Sequence, residues 1–251
     1  MNISICILCV TPHLIWLDFL NTFTHYDVYL VVDDNSVDYT QMYKDYTRLH
    51  FIQIPNEMCN KQGFANLTFL TINKKITAWD KALYYFSTID KSYNHVWFIE
   101  DDVFFNNEQT LMDIDSKYIH SDFLGPATSY NENIDGTSHE WLWDSVTLKI
   151  PPPYYKCLCC AVRMSPKLLQ KIKTYATNRK TLDFLEALFP TLCKRGKLKY
   201  DMPEELEHIV YRKEHNINTI ETRNLYHPMK RIQQHADIRS MYSVRSANNI
   251  V

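Results

Sequence analysis

Apolar positions in the first hundred residues fall into two alternating patterns. Residues 3–10 form a continuous apolar run of strand length, and residues 14–23 carry apolar side chains at helical spacing. Residues 26–32 are a second β-rich run, and residues 51–54 a short third one closed by Pro55. Residues 67–89 return to helical spacing through Leu70, Ile72, Ile76, Trp79, Leu83 and Phe86. Val96-Trp97-Phe98-Ile99 is a fourth strand-like run. Runs apolar at every position predict strands covered on both faces. Their alternation with helices predicts a parallel sheet built from right-handed crossovers. Residues 1–102 therefore read as a Rossmann-like half, in which ligands bind at the carboxyl ends of the strands.

The second half is less regular. Residues 123–127 predict a strand and residues 154–164 a long β-type run. Ser165-Pro166 supplies cap and first-turn chemistry for a helix over residues 167–175, and residues 181–192 predict another. Pro151-Pro152-Pro153 predicts a rigid extended connector. With no internal repeat and no flexible linker, the expectation is one α/β domain. Its mostly parallel central sheet is flanked by helices and shared by two halves, residues 1–102 and residues 103–251, with a smaller lobe on the side of the second half.

Composition narrows the chemistry. At 251 residues, 45% apolar and 14% aromatic, the chain has ample material for a core. Only 4 glycines are present, and neither G-x-x-x-x-G-K-[ST] nor G-x-G-x-x-G occurs. Any phosphate must be neutralised by other means. The net charge of −2 gives no overall attraction to nucleic acid or membrane, although residues 194–251 are richer in Lys and Arg. The 7 cysteines form no disulfide framework. Their densest group, Cys157, Cys159 and Cys160, lacks a zinc spacing and reads as buried strand residues in a reducing compartment. Residues 3–10 follow no basic segment and fall short of the roughly 20 apolar residues that span a bilayer. A cytoplasmic protein without signal peptide or transmembrane helix is expected, and the Asn, Ile, Lys and Tyr usage points to an A+T-rich viral or bacterial genome. Asn66-Leu67-Thr68 matches the glycosylation triplet, which matters only in a secreted chain.

Glu100-Asp101-Asp102 follows the fourth strand without a break. Like charges at contact distance resist joint ionisation, and a divalent cation removes that penalty. Oxygen ligands favour Mg2+ or Mn2+. If the strand continues, Glu100 and Asp102 share a face and Asp101 points away. A solvated acidic turn is the alternative, but Val103-Phe104-Phe105 makes the flanks strongly apolar on both sides.

The pattern V-W-F-I-E-D-D-V-F-F resembles the metal-binding D-x-D region of GT-A glycosyltransferases, in an E-D-D form. The resemblance implies a GT-A fold and a Mn2+ or Mg2+ ion bridging a donor diphosphate. Asp102 is then the metal ligand, and Glu100 contacts the ribose or the metal, with Asp101 as a further donor-side residue. Further positions fit in chain order. Thr11 and Pro12 match the loop that wraps the nucleoside. Asp33 and Asp34, in V-V-D-D-N-S, match the carboxylate that accepts hydrogen bonds from the base, an Asx-turn being the alternative. Lys81 matches a donor-facing residue on the helix before the acidic strand. In N-L-Y-H-P-M-K-R, His227 resembles a third metal ligand and Lys230 a phosphate contact. Glu186 resembles the base that deprotonates the acceptor, with Asp183 second; a helix N-terminal charge is the alternative for Asp183. Trp141 and Trp143 are expected to stack on the acceptor sugar or to anchor a loop.

The implied function is metal-dependent, inverting transfer of a sugar from UDP- or GDP-sugar to a hydroxyl of a glycan or glycoprotein, with no nucleic-acid partner. A non-catalytic glycan- or nucleotide-binding relative is the first alternative. A sugar nucleotidyltransferase is the second, disfavoured because Val10-Thr11-Pro12-His13 is not a Gly-rich basic loop.

Overall fold

The computed structural model describes residues 2–67, 74–88, 93–141, 143, 146 and 148–248. Its first half runs β1 (Ile3–Cys9), α1 (Leu14–Leu20), β2 (Asp27–Val32), α2 (Tyr39–Met42), β3 (Leu49–Ile52), α3 (Asn56–Gln62), β4 (Asn66–Leu67), β5 (Lys74–Lys75), α4 (Ala78–Thr88) and β6 (His95–Glu100). The second half adds α5 (Glu108–Lys117), β7 (Phe123–Leu124), β8 (Asn131–Asn133), β9 (Tyr154–Lys156), β10 (Ala161–Met164), α6 (Pro166–Arg179), α7 (Leu185–Arg195), β11 (Tyr200–Asp201), β12 (His208–Ile209), β13 (Tyr226–His227) and α8 (Ile232–Asn248).

One seven-stranded sheet spans both halves in the order β11-β7-β10-β6-β1-β2-β3. β3, β2, β1 and β6 are parallel neighbours, and β11 is parallel to β7. β10 runs antiparallel to both β6 and β7. The fold is thus the expected α/β arrangement, a mostly parallel sheet flanked by helices. Successive residues of β1 feed opposite layers. Ile3, Ile5 and Ile7 pack with Trp16, Leu17 and Leu111. Cys6 and Leu8 pack with Ala82, Leu83 and Leu169. Burial on both faces explains the uninterrupted apolar pattern, each such side chain contributing about 1.5–3 kcal/mol.

A buried ion pair ties the antiparallel strand to the rest. Arg163 of β10 is wholly buried and pairs with Asp115 of α5, while also donating to the Tyr118 carbonyl. Asp115 accepts further from the Tyr26 hydroxyl and from Trp97 Nε1 at 3.1 Å.

Several boundaries differ from expectation. The helix predicted over 67–89 begins only at Ala78. Asp80, in its first turn, accepts from Thr77 N at 2.7 Å and from Asn66 N at 2.7 Å, which sets the helix start and holds β4 apart from it. Leu67 lies in that short strand, whereas Leu70, Ile72 and Ile89 fall outside the described residues. Asn66 is buried and donates to Asp80, so the glycosylation triplet presents no acceptor amide. The third strand lies two residues earlier than predicted, and residues 123–127 give a two-residue strand before a 3-10 turn. The run 154–164 is two strands. Leu158 N turns to Ser129 Oγ and Cys157 N to the Glu186 carbonyl, so β9 pairs with β8 while β10 joins the main sheet. The helix predicted over 181–192 starts at Leu185, because Asp183 has φ 49° and Leu182 N bonds Ala65 O. Among the described residues, no helix is long and apolar enough to cross a membrane.

Candidate active site

The site is built where β6 ends. Glu100 is the last residue of the strand, and Asp101 and Asp102 form a turn closed by Val103 N to Glu100 O at 3.0 Å. The chain then pairs with a distant segment. Phe104 and Tyr226 exchange backbone hydrogen bonds of 2.8 and 2.9 Å, and Met229 N donates to Asp102 O at 2.7 Å. These bonds lay His227 over the acidic turn, its Nε2 3.5 Å from Asp102 Oδ1.

His227 is oriented from behind. Its Nδ1 lies 2.8 Å from the Val210 carbonyl, which can only accept, so the proton sits on Nδ1 and Nε2 faces the carboxylates. Burial disfavours its charged form, but the Asp102 hydrogen bond and charge outweigh this and hold the imidazole above its ordinary pKa. Glu100 is oriented by Trp79 Nε1, which donates to Oε1 at 2.8 Å. One donor atom each from Glu100, Cys160 and His227 lie within 4.8 Å of one another. This nitrogen, oxygen and sulfur set fits a divalent cation, with Asp102 alongside. Asp101 is not among these donors: the residue is exposed on the turn.

Glu186, in the first turn of α7, approaches the same corner. Burial, opposed by Lys156 and reinforced by Glu100, pushes its carboxyl up to about 7. A carboxyl poised near neutrality suits proton abstraction. Asp183 does not have that position. It is wholly buried and accepts from the Tyr175 hydroxyl and from Lys149 N at 3.0 Å. It precedes the helix at positive φ, so neither acceptor chemistry nor a helix-terminal charge describes it. Trp143 is likewise buried, donating from Nε1 to Asn131 Oδ1 at 2.6 Å, and is a loop anchor rather than a sugar platform. Trp141 is half-buried, packs edge-on against Trp143, and carries Lys156 Nζ 5.0 Å from its ring centre.

The predicted nucleoside side is more internally bonded than the sequence suggested. Lys81 is fully buried and bonds both the carboxylate of Asp33, at 3.0 Å, and its carbonyl. Its charge therefore clamps α4 to the end of β2 instead of facing a phosphate. Asp33 stays a quarter exposed. Asp34 is the Asx-turn: Oδ1 accepts from Ser36 N at 2.8 Å and Oδ2 from the Tyr39 hydroxyl at 2.7 Å, which lowers its pKa. Thr11 is exposed and Pro12 buried just beyond β1. Lys230 is exposed, three residues past His227. Cys160, which its sequence context marks only as a buried cysteine, is the additional residue at this corner. It sits opposite Glu100, since Glu100 N donates to Cys160 O at 2.9 Å and the β6–β10 register pairs Ile99 with Ala161.

No protein-family model and no curated protein matches the chain. Among solved structures it is similar to a 4-diphosphocytidyl-2C-methyl-D-erythritol synthase from Anaerococcus prevotii, at 10% identity and TM-score 0.47. It is also similar to the galactosyltransferase LgtC in complex with donor and acceptor sugar analogs, at 9% identity and TM-score 0.48. Each comparison covers 96% of both chains. Likenesses this distant carry no assignment of chemistry, which rests on the residues themselves.

Proposed function

We propose that the protein is a divalent-metal-dependent glycosyltransferase that moves a sugar from a nucleoside diphosphate sugar to an acceptor hydroxyl. The observation that carries this reading is the meeting, at the carboxyl end of β6, of Glu100, Asp102 and His227 with Glu186 beside them. Such strand ends are where parallel α/β sheets bind ligands.

Glu100, Asp102 and His227 are the residues that would hold Mn2+ or Mg2+. The ion would supply Lewis-acid neutralisation of a leaving diphosphate. Thr11 and Asp33, just past the ends of β1 and β2, would contact the nucleoside, with Pro12 shaping the loop and Lys81 fixing the Asp33 carboxylate. Lys230, exposed three residues past His227, would meet the phosphates as a point charge. Glu186 takes the acceptor proton as the hydroxyl oxygen attacks the anomeric carbon, which implies inversion. Trp141 and Lys156, beside Glu186, favour a sugar ring on the acceptor side. The absence of a Gly-rich basic loop after β1 argues against nucleotidyl transfer from a triphosphate.

The test is a screen of UDP-, GDP-, CMP- and dTDP-sugars for donor hydrolysis and transfer, with and without Mn2+. One class should turn over in a metal-dependent way. Asp102→Ala should cost at least about 100-fold in turnover, the several kcal/mol expected of a lost Lewis acid. Full activity in Asp102→Ala, or turnover indifferent to metal, contradicts the assignment. Binding of a glycan with no response to UDP or GDP would favour a non-catalytic module.

A further inference from the structure

The donor set at the end of β6 is not made of oxygen and nitrogen alone. Cys160, immediately before β10, directs its thiol into the space shared by Glu100 and His227, with all three donor atoms within 4.8 Å. The placement follows from the sheet. β10 is the antiparallel neighbour of β6, Ala161 opposes Ile99, and the Cys160 carbonyl accepts from Glu100 N at 2.9 Å. Directly opposed residues of an antiparallel pair carry their side chains to one face, about 4.5–5.5 Å apart at Cβ. The other two donors are held ready. Trp79 Nε1 fixes Glu100 Oε1 at 2.8 Å, and the Val210 carbonyl fixes the His227 tautomer that leaves Nε2 available. The neighbouring thiols do something different: Cys157 Sγ and Cys159 Sγ contact each other at 3.8 Å.

We propose that Cys160 is a ligand of the cation in this site, giving it a preference for thiophilic divalent ions such as Zn2+ or Co2+ over Mg2+. This deepens, and rests on, the reading of a metal held by Glu100, Asp102 and His227. Mg2+ prefers oxygen donors in octahedral geometry, whereas a set of one thiolate, one imidazole and carboxylate suits ions that accept sulfur and lower coordination numbers. On binding, the Cys160 sulfur–hydrogen bond breaks, the proton leaves to solvent, and the electron pair forms the sulfur–metal bond.

The experiment is titration of the purified, metal-free protein with Co2+, followed by absorption and calorimetry. Wild type should show a thiolate-to-cobalt charge-transfer band. Cys160→Ser should lose that band and at least about tenfold in Co2+ and Zn2+ affinity, with a far smaller change for Mn2+. Cys159→Ser should keep the band, which separates ligation from general disturbance of this cysteine-rich turn, and thermal melting checks that both variants fold. Co2+ and Mn2+ binding without a charge-transfer band, or a band that survives Cys160→Ser, overturns the role of Cys160 and leaves the metal site standing. Absence of any divalent-ion binding overturns both.

Discussion

At the residue scale, the side chains that matter most are those whose environment forces one role. Lys81 has no exposed surface, and its ammonium is spent on the Asp33 carboxylate and carbonyl. Removing one member of a buried pair leaves the other uncompensated, but Asp33 is a quarter exposed and water can partly rehydrate it. Lys81→Met should therefore destabilise by about 1–3 kcal/mol in urea unfolding and weaken nucleotide binding through a loosened Asp33. Unchanged stability would show that the clamp is not formed. The acidic turn stands out because carboxylates between two apolar runs are unusual in pattern, whereas His227 is one of 10 histidines and is marked only by its order along the chain in the resemblance. Cys160 was not legible, because buried cysteine is the ordinary fate of a thiol and its partner lies across a strand pairing invisible in the local sequence. Asp183 misled for the converse reason: positive φ and complete burial leave no mark in composition.

At the element scale, the parallel strands were readable and the irregular ones were not. β1, β2 and β6 are buried on both faces, so their apolar runs mark them within a residue or so. The break between β9 and β10 depends on Ser129 Oγ and the Glu186 carbonyl, partners far away in sequence, and so the run looked continuous. β10 carries the buried Arg163 that a strand-covering layer would ordinarily exclude. Arg163→Met should cost about 3–5 kcal/mol, since Asp115 would be left charged and buried. Replacing Asp115 by Leu in the same chain should recover much of the loss, because a well-packed apolar pair often matches a buried ion pair. Denaturant unfolding of the single and double variants checks this. Equal destabilisation by both would contradict it.

For the whole molecule, the C-terminal segment is what closes the site. Tyr226 pairs with Phe104, His227 covers Asp102, and α8 lays Arg239 3.4 Å over the Phe19 ring, against α1. Its docking also buries His235, whose Nε2 donates to the Met229 carbonyl at 2.8 Å, while His95 does the same to the Ser121 carbonyl at 2.9 Å. Burial holds both imidazoles down to about 4. Unfolded, they take up protons below about 6.5. At these two sites the unfolded chain binds more protons between pH 6.5 and 4, so each histidine withdraws up to about 3 kcal/mol as pH drops through that window, while the raised carboxyls of Asp80 and Glu186 act in the opposite sense. Across this range His235→Phe should lose less stability, or gain more, than wild type as the pH is lowered; a pH dependence of the melting temperature identical to wild type would contradict the role given to His235. The central claim is that a cation held at the end of β6 is what lets this sheet bind a nucleoside diphosphate. Calorimetric titration of UDP and GDP into wild type and Asp102→Ala, with and without Mn2+, tests it most directly. One nucleotide should bind wild type at least about tenfold more tightly with Mn2+, and that gain should vanish in a folded Asp102→Ala protein. Equal affinity with and without the ion, or a gain that survives the substitution, would contradict it.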